Sequence, residues 1–262
     1  MFSAEPRCIY RQNQLGEVIC QLRFPEILSV QANVPAQFQE VIRDEYPLYS
    51  LRKENPAPKL SGSPGHLQLQ KQEPVNNYQF ASADGVWRVN LTSRFISLAC
   101  SRYTRWEDFA KKLDRPLAAF LQIYRPAFYE RVGLRYINFI SRKTLSVEDE
   151  PFRALIEPQY LGLLADEMIS EASATRSTVD AEIPIRGGCR AKIHAGPGMV
   201  TRNGQQDKEA KFVLDLDLYM PGNVEIKHSA AALQTLHSQA FPIFRDAITD
   251  MLHEAMEPEY PC

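Results

Sequence analysis

An α+β fold is predicted, built as two tandem β-α-β(3–4)-α halves, with a curved antiparallel sheet covered on one face by long helices. Three observations carry it. Residues 211–220 (KFVLDLDLYM) alternate apolar and polar side chains at the two-residue period of a half-buried strand. Asp84-Gly85, between the β-like runs 78–83 and 86–91, is the turn dipeptide of a tight hairpin. Two long amphipathic patterns, 105–124 and 229–256, each follow a group of strand-like runs, as the cover for one sheet face does.

In chain order, 15–24 (LGEVICQLRF) reads as a strand ending at Pro25. Pro35 opens a helix over 36–46, where Phe38, Val41, Ile42 and Glu45 fall at helical spacing and Pro47 is the stop. The prolines and glycines of 49–65 predict a loop. Runs 66–72, 78–83, 86–91 and 95–103 read as strands. Trp106, Phe109, Leu113, Leu117, Phe120 and Tyr124 form a helical stripe, with a kink or a division expected at Pro116.

The pattern then restarts. Residues 130–140 read as a strand, and Pro151 opens a short helical stretch, PFRALIEPQY. Long strands are expected over 168–183 and 185–194, with a hairpin tip at 195–204, before the strand 211–220. Leu233, Leu236, Ala240, Phe244, Ile248, Met251 and Leu252 mark the last helix, interrupted at Pro242.

The halves, 1–127 and 128–262, can be laid against each other as parts of one continuous unit. Ser29-Val30, Pro35, Phe38 and Tyr46 match Ser146-Val147, Pro151, Phe152 and Tyr160 at nearly constant separation, and Pro116-Leu117 matches Pro242-Ile243. This order of elements resembles the duplicated TATA-binding-protein-like, or helix-grip, arrangement, which implies a saddle-shaped sheet cradling long helices and by itself assigns no function.

Composition excludes several classes. The 262 residues are 44% hydrophobic and 24% charged, with a net charge of −2, so they can bury a core and present no global field for nucleic acid or an anionic membrane. No run has the length and apolarity of a membrane helix, and the N-terminus lacks the apolar region of a signal peptide. Cys8, Cys20, Cys100, Cys189 and Cys262 are scattered and form no CxxC pair, so a reducing cytoplasm is expected rather than a disulfide framework or zinc site.

Three segments, GEVICQLRFP (16–25), SRYTRWEDF (101–109) and YERVGLRYIN (129–138), resemble a sporadically distributed, uncharacterised family of bacterial proteins of similar length. Arg131, Gly133, Leu134, Arg135, Tyr136 and Asn138 carry the most specific part. The resemblance transfers no residue roles. The patchy distribution suits an accessory of a defence or toxin-type system.

Arg131 and Arg135 share one face of their strand with Tyr129 and Gly133, while Leu134, Tyr136 and Asn138 lie on the other. One reading gives the arginine pair an anionic ligand, helped by Tyr103 and Arg105. The other has the pair bridging Asp215 and Asp217. Asp180, Glu182, Asp215 and Asp217 alternate on predicted strands and are the ligand set of an alternative, a metal-dependent nuclease or phosphodiesterase. Acids so placed are otherwise solvated or paired with Lys and Arg.

No HxH, HxxxH or HExxH spacing joins the histidines, His194 reads as turn chemistry, and His237 as a core histidine on the last helix. Phosphate loops and a GxSxG elbow are absent, and Cys100 and Cys189 read as buried thiols. Arg102, Arg105, Arg115 and Arg125 interleave with aromatics, but helical spacing makes those aromatics a core stripe and nucleic acid is not favoured.

The leading expectation is a non-enzymatic ligand- or partner-binding module without a cofactor. Its candidate contacts are Tyr103, Arg105, Arg131 and Arg135, and its partner is another protein or a second copy. A small-molecule pocket between sheet and long helix is the further alternative.

Overall fold

The computed structural model describes residues 2–55, 59–61, 68–70, 73–202 and 205–260. The elements run β1 (Ile9–Tyr10), β2 (Leu15–Arg23), α1 (Leu28–Ala32), α2 (Ala36–Ile42), β3 (Leu48–Glu54), β4 (Lys59–Ser61), β5 (Gln68–Gln70), β6 (Val75–Ala81), β7 (Trp87–Leu91), β8 (Phe95–Cys100), α3 (Trp106–Tyr124) and β9 (Tyr129–Ile140). The second part continues α4 (Phe152–Leu155), α5 (Pro158–Leu161), β10 (Val179–Pro184), β11 (Arg190–Arg202), β12 (Gln205–Val224), α6 (Ser229–Ala247), α7 (Asp250–Ala255) and β13 (Pro258–Glu259).

Nine strands form one curved antiparallel sheet in the order β10-β11-β12-β9-β2-β8-β7-β6-β3. The order mirrors itself about the β2–β9 pair. Outward from that seam lie β8, β7 and β6 on one side and β12, β11 and β10 on the other, with β3 added beyond β6. Each side carries one 19-residue helix, α3 against β8 and α6 against β9 and β12.

Alternation decides which face is covered. Val18, Cys20 and Leu22 of β2, Val132 and Leu134 of β9, and Phe212, Leu214, Leu216 and Leu218 of β12 are all buried. They pack with Phe109, Leu113 and Phe120 of α3 and Leu233, Leu236, Ala240 and Phe244 of α6. The alternate residues, including Glu17, Arg135 and Asp217, keep contact with solvent. Gly85, at φ +70, supplies the left-handed turn residue of the β6–β7 hairpin, where the Asp84 side chain accepts from Ser82 Oγ at 2.6 Å and from the Val86 N–H at 3.1 Å.

Several sequence expectations are corrected. Residues 48–54 form the edge strand β3, and the prolines that suggested a loop begin only at position 56. Of the run 66–72, residues 68–70 form β5 and the rest lie outside the described residues. No strand occupies 168–178; this Ser-, Thr- and Ala-rich stretch has no apolar alternation to bury, and β10 starts at Val179. Residues 195–202 continue β11 instead of turning, and Ala195 through Met199 pair with Leu214 through Ala210. His194 is accordingly a strand residue. The last helix breaks not at Pro242 but at Ile248, which turns extended and bridges to Ile156. Thr249 then caps α7 by accepting from the Leu252 N–H. Met251 on α7 faces solvent.

Pro116 does not divide α3. Proline has no N–H for the carbonyl four residues earlier, which here is that of Lys112. The Tyr46 hydroxyl, from the segment after α2, donates to that carbonyl at 3.0 Å. Tyr46 is 1% exposed, so its hydroxyl and the helix carbonyl satisfy each other out of water. Tyr46→Phe should therefore lower the unfolding free energy by about 1–3 kcal/mol. In a Pro116→Ala background a restored backbone N–H reaches the Lys112 carbonyl, and the same change should cost less than half as much; urea denaturation of the double-mutant cycle reads the difference.

Candidate functional site

The uncovered sheet face carries charge mainly on its second half, and that charge is paired. Arg131 holds Asp217 through both carboxylate oxygens, at 2.6 and 2.7 Å, and lies over the Tyr219 ring at 4.4 Å. A side chain at Gly133 would run into the Arg131 guanidinium, so glycine there lets the arginine lie flat along the sheet. Arg135 donates to Asp215 at 2.8 Å. Glu182 receives the Tyr219 hydroxyl and pairs with Arg190 at 3.2 Å and Lys192 at 3.6 Å. The Tyr219 hydroxyl, seconded by Arg190 and Lys192, holds the Glu182 carboxyl below its ordinary range. His194 Nδ1 meets Asp180 at 2.7 Å.

Of the two readings of the arginine pair, the geometry takes the bridging one. Asp180, Glu182, Asp215 and Asp217 border one depression on this face, yet each already has a hydrogen-bonding or ionic partner. Among the described residues no three His, Cys, Asp or Glu side chains converge as metal ligands. The four acids of the nuclease alternative are thus each engaged with a protein neighbour.

Tyr103 and Arg105 do not join Arg131 and Arg135. Arg105 precedes α3 and donates to Asp108 at 3.0 Å. Tyr103 packs edge to face on Tyr136, a residue of the helix-covered face, with ring centroids 5.9 Å apart. Tyr129, expected beside Arg131, is fully buried where β9 and β12 slip register, and its hydroxyl has no partner among the described residues.

Tyr103 leads instead to a cavity of about 100 Å³ at the seam between the halves, on the helix side of the sheet. Its apolar wall is Leu15, Leu216, Ala240, Phe241 and Phe244, and its polar end is Arg7, Tyr103, Tyr136 and His237. The N-terminal segment 7–10 forms its outer wall. That segment is tied down by β1–β13 pairing, by the Tyr10 hydroxyl 2.8 Å from His253 Nδ1, and by Arg245, which donates to Glu5 at 2.7 Å and to the Ile248 carbonyl at 3.1 Å.

The polar end is held rigidly. The Tyr136 hydroxyl and His237 Nδ1 share a hydrogen bond at 2.9 Å, and His237 stacks on Trp106 at 4.7 Å and 11°. Trp106 is fixed in turn by donating to Gln234 at 2.9 Å. Burial, with help from the Arg7 charge, pushes the His237 pKa down to about 4, so its imidazole is neutral near pH 7. Burial also pushes the Tyr103 hydroxyl up to about 12 and the Tyr136 hydroxyl well above its usual value, so both are donors that stay protonated. The two amides of the lining are turned onto backbone. Asn13 donates to the Tyr103 carbonyl at 3.2 Å and Asn138 to the Leu214 carbonyl at 3.0 Å. Arg7 meets only Glu107, at 3.7 Å, among the described carboxylates.

Cys20, Cys100 and Cys189 are buried, and Cys8 at the cavity is buried as well, its thiol pushed up by desolvation. Sequence reasoning overlooked Arg7, Tyr136 and His237 as a group. The available signal was polar Tyr136 and Asn138 on the core side of an otherwise apolar strand alternation.

The neutral His237 has a measurable consequence. The unfolded chain protonates this imidazole near 6.5 and the folded chain only near 4, so its contribution to stability is whole above pH 6.5 and lost as pH falls between those values. Compared with His237→Gln, the wild-type chain should lose on the order of 3 kcal/mol more of unfolding free energy between pH 7 and 4, read by urea titrations across that range. No protein-family model and no curated protein sequence matches the chain.

Proposed function

We propose that the protein is a non-enzymatic binding module that holds a small, mostly apolar molecule with one polar or anionic end in the cavity between the sheet and α6. The observation that carries this reading is the cavity itself. Its lining is largely aromatic and aliphatic, and among it stand an arginine, a tyrosine hydroxyl and a neutral imidazole. Its volume suits a single ring or a short branched chain. The resemblance to the helix-grip arrangement supports the same place for a ligand.

Benzoate and benzyl alcohol are suitable probes, differing in charge at nearly equal size. Trp106, stacked on His237, is the built-in fluorescence reporter. Benzoate should raise the melting temperature and change Trp106 emission, by the linkage that stabilises whatever a ligand binds. Ala240→Leu, which extends a wall residue into the cavity, should abolish both effects while keeping the fold. Arg7→Gln should remove most of a preference for benzoate over benzyl alcohol of about tenfold, the worth of one charged contact. If neither probe binds, the purified chain carries no small molecule in native mass spectrometry, and Ala240→Leu is at least as stable as wild type, the cavity is a packing defect and the reading is wrong.

A further inference from the structure

The two ends of the sheet are built differently. At the β10 end, Asp180, Glu182 and Pro184 are exposed, and charges and prolines of this kind keep an edge from pairing with another strand. At the β3 end no such device occupies positions 48–51, which read Leu-Tyr-Ser-Leu. Leu48, Tyr49 and Leu51 are 53, 45 and 47% exposed. Among the described residues β3 is paired on one side, to β6, from Leu48–Ala81 through Glu54–Val75. It also has no counterpart in the mirrored half, where the order ends at β10. The charges of β3 come only at Arg52, Lys53 and Glu54, so its first half is an ordered, mostly apolar edge that invites a partner strand.

The side chains of β3 say what that partner is. Antiparallel partners must share a face, so a symmetric pairing of β3 with itself centres on one residue. Centred on Ser50, Tyr49 faces Leu51 of the second copy and Leu51 faces its Tyr49, on the side where Tyr49 already packs on Phe80 at 5.7 Å. Leu48 then meets the stem of the second copy's Arg52. Centring on Leu51 instead sets Tyr49 against lysine and Leu48 against glutamate. Centring on Arg52 opposes two guanidinium groups, which is destabilising. Centring on Tyr49 also avoids like charges but pairs only residues 48–50 of the strand, whereas the Ser50 register pairs 48–52 and places Tyr49 and Leu51 on each other.

We propose that β3 pairs antiparallel with β3 of a second copy of this chain, centred on Ser50, joining two sheets edge to edge about a twofold axis. The strand lies at the end of the sheet, away from the cavity at the seam, so the pairing stands or falls independently of ligand binding.

Sedimentation of the full chain should show a reversible dimer with a dissociation constant on the order of 10 μM, as suits a short strand interface. Leu51→Lys should sediment as a monomer with unchanged circular dichroism and melting temperature, since Leu51 is exposed in the single chain. In a Cys262→Ser background, Ser50→Cys should give a disulfide-linked dimer on mild oxidation, because residues facing each other across the axis bring their Cβ atoms within about 5.5 Å. A wild-type chain that stays monomeric well above that concentration overturns the proposal. So does a dimer that survives Leu51→Lys, or one that Ser50→Cys fails to cross-link, since each places the contact elsewhere.

Discussion

The pairing of β2 with β9 is the constraint on which the rest depends. Both strands must present one apolar face to the helices and one polar face to solvent, in register with each other. Val18 opposite Tyr136, Cys20 opposite Leu134 and Leu22 opposite Val132 form the covered row, while Ile19 opposite Arg135 and Arg23 opposite Arg131 form the other. A slip of one residue would turn every one of these side chains to the wrong face. With the seam fixed, α3 and α6 cover the same face to either side of it, and the cavity lies between α6, the strands near the seam and the N-terminal segment.

The two faces handle polar groups in opposite ways. On the uncovered face, Arg131, Arg135 and Glu182 are matched by neighbours one strand away, so the face is nearly self-neutral despite its many charges. Water screens these pairs, and each contributes modestly. On the covered face, polar groups are few and desolvated, and Tyr136, His237 and Trp106 form a short chain of contacts that water does not screen. A ligand gains more from a few fixed donors in a mostly apolar cavity than from many charges already satisfied.

Much of the fold was legible because it follows from period. The alternation in 211–220 and the three-to-four spacing on the two long helices set strand faces and helix stripes directly. What misled was punctuation. Gly196 and Pro197 suggested a turn but sit inside β11, where Pro197 faces Phe212, and Pro242 suggested a break that tertiary packing absorbs. The ion pairs were foreseeable from same-face arithmetic, since Arg131, Arg135, Asp215 and Asp217 share parity on adjacent strands. The cavity was not, because its polar end joins Arg7, Tyr103, Tyr136 and His237 from four separate stretches, and only the fold brings them together.

The mirrored strand order also bears on how the chain reaches its structure. β6, β7 and β8 follow one another within a few residues along the chain, as do β10, β11 and β12, so each set closes with little loss of loop entropy. β2 and β9, by contrast, bring together residues such as Cys20 and Leu134 from opposite sides of α3. Contacts so distant along the chain form slowly. The two meanders can therefore assemble as local units before the seam closes between them, and the cavity comes into being only at that last step.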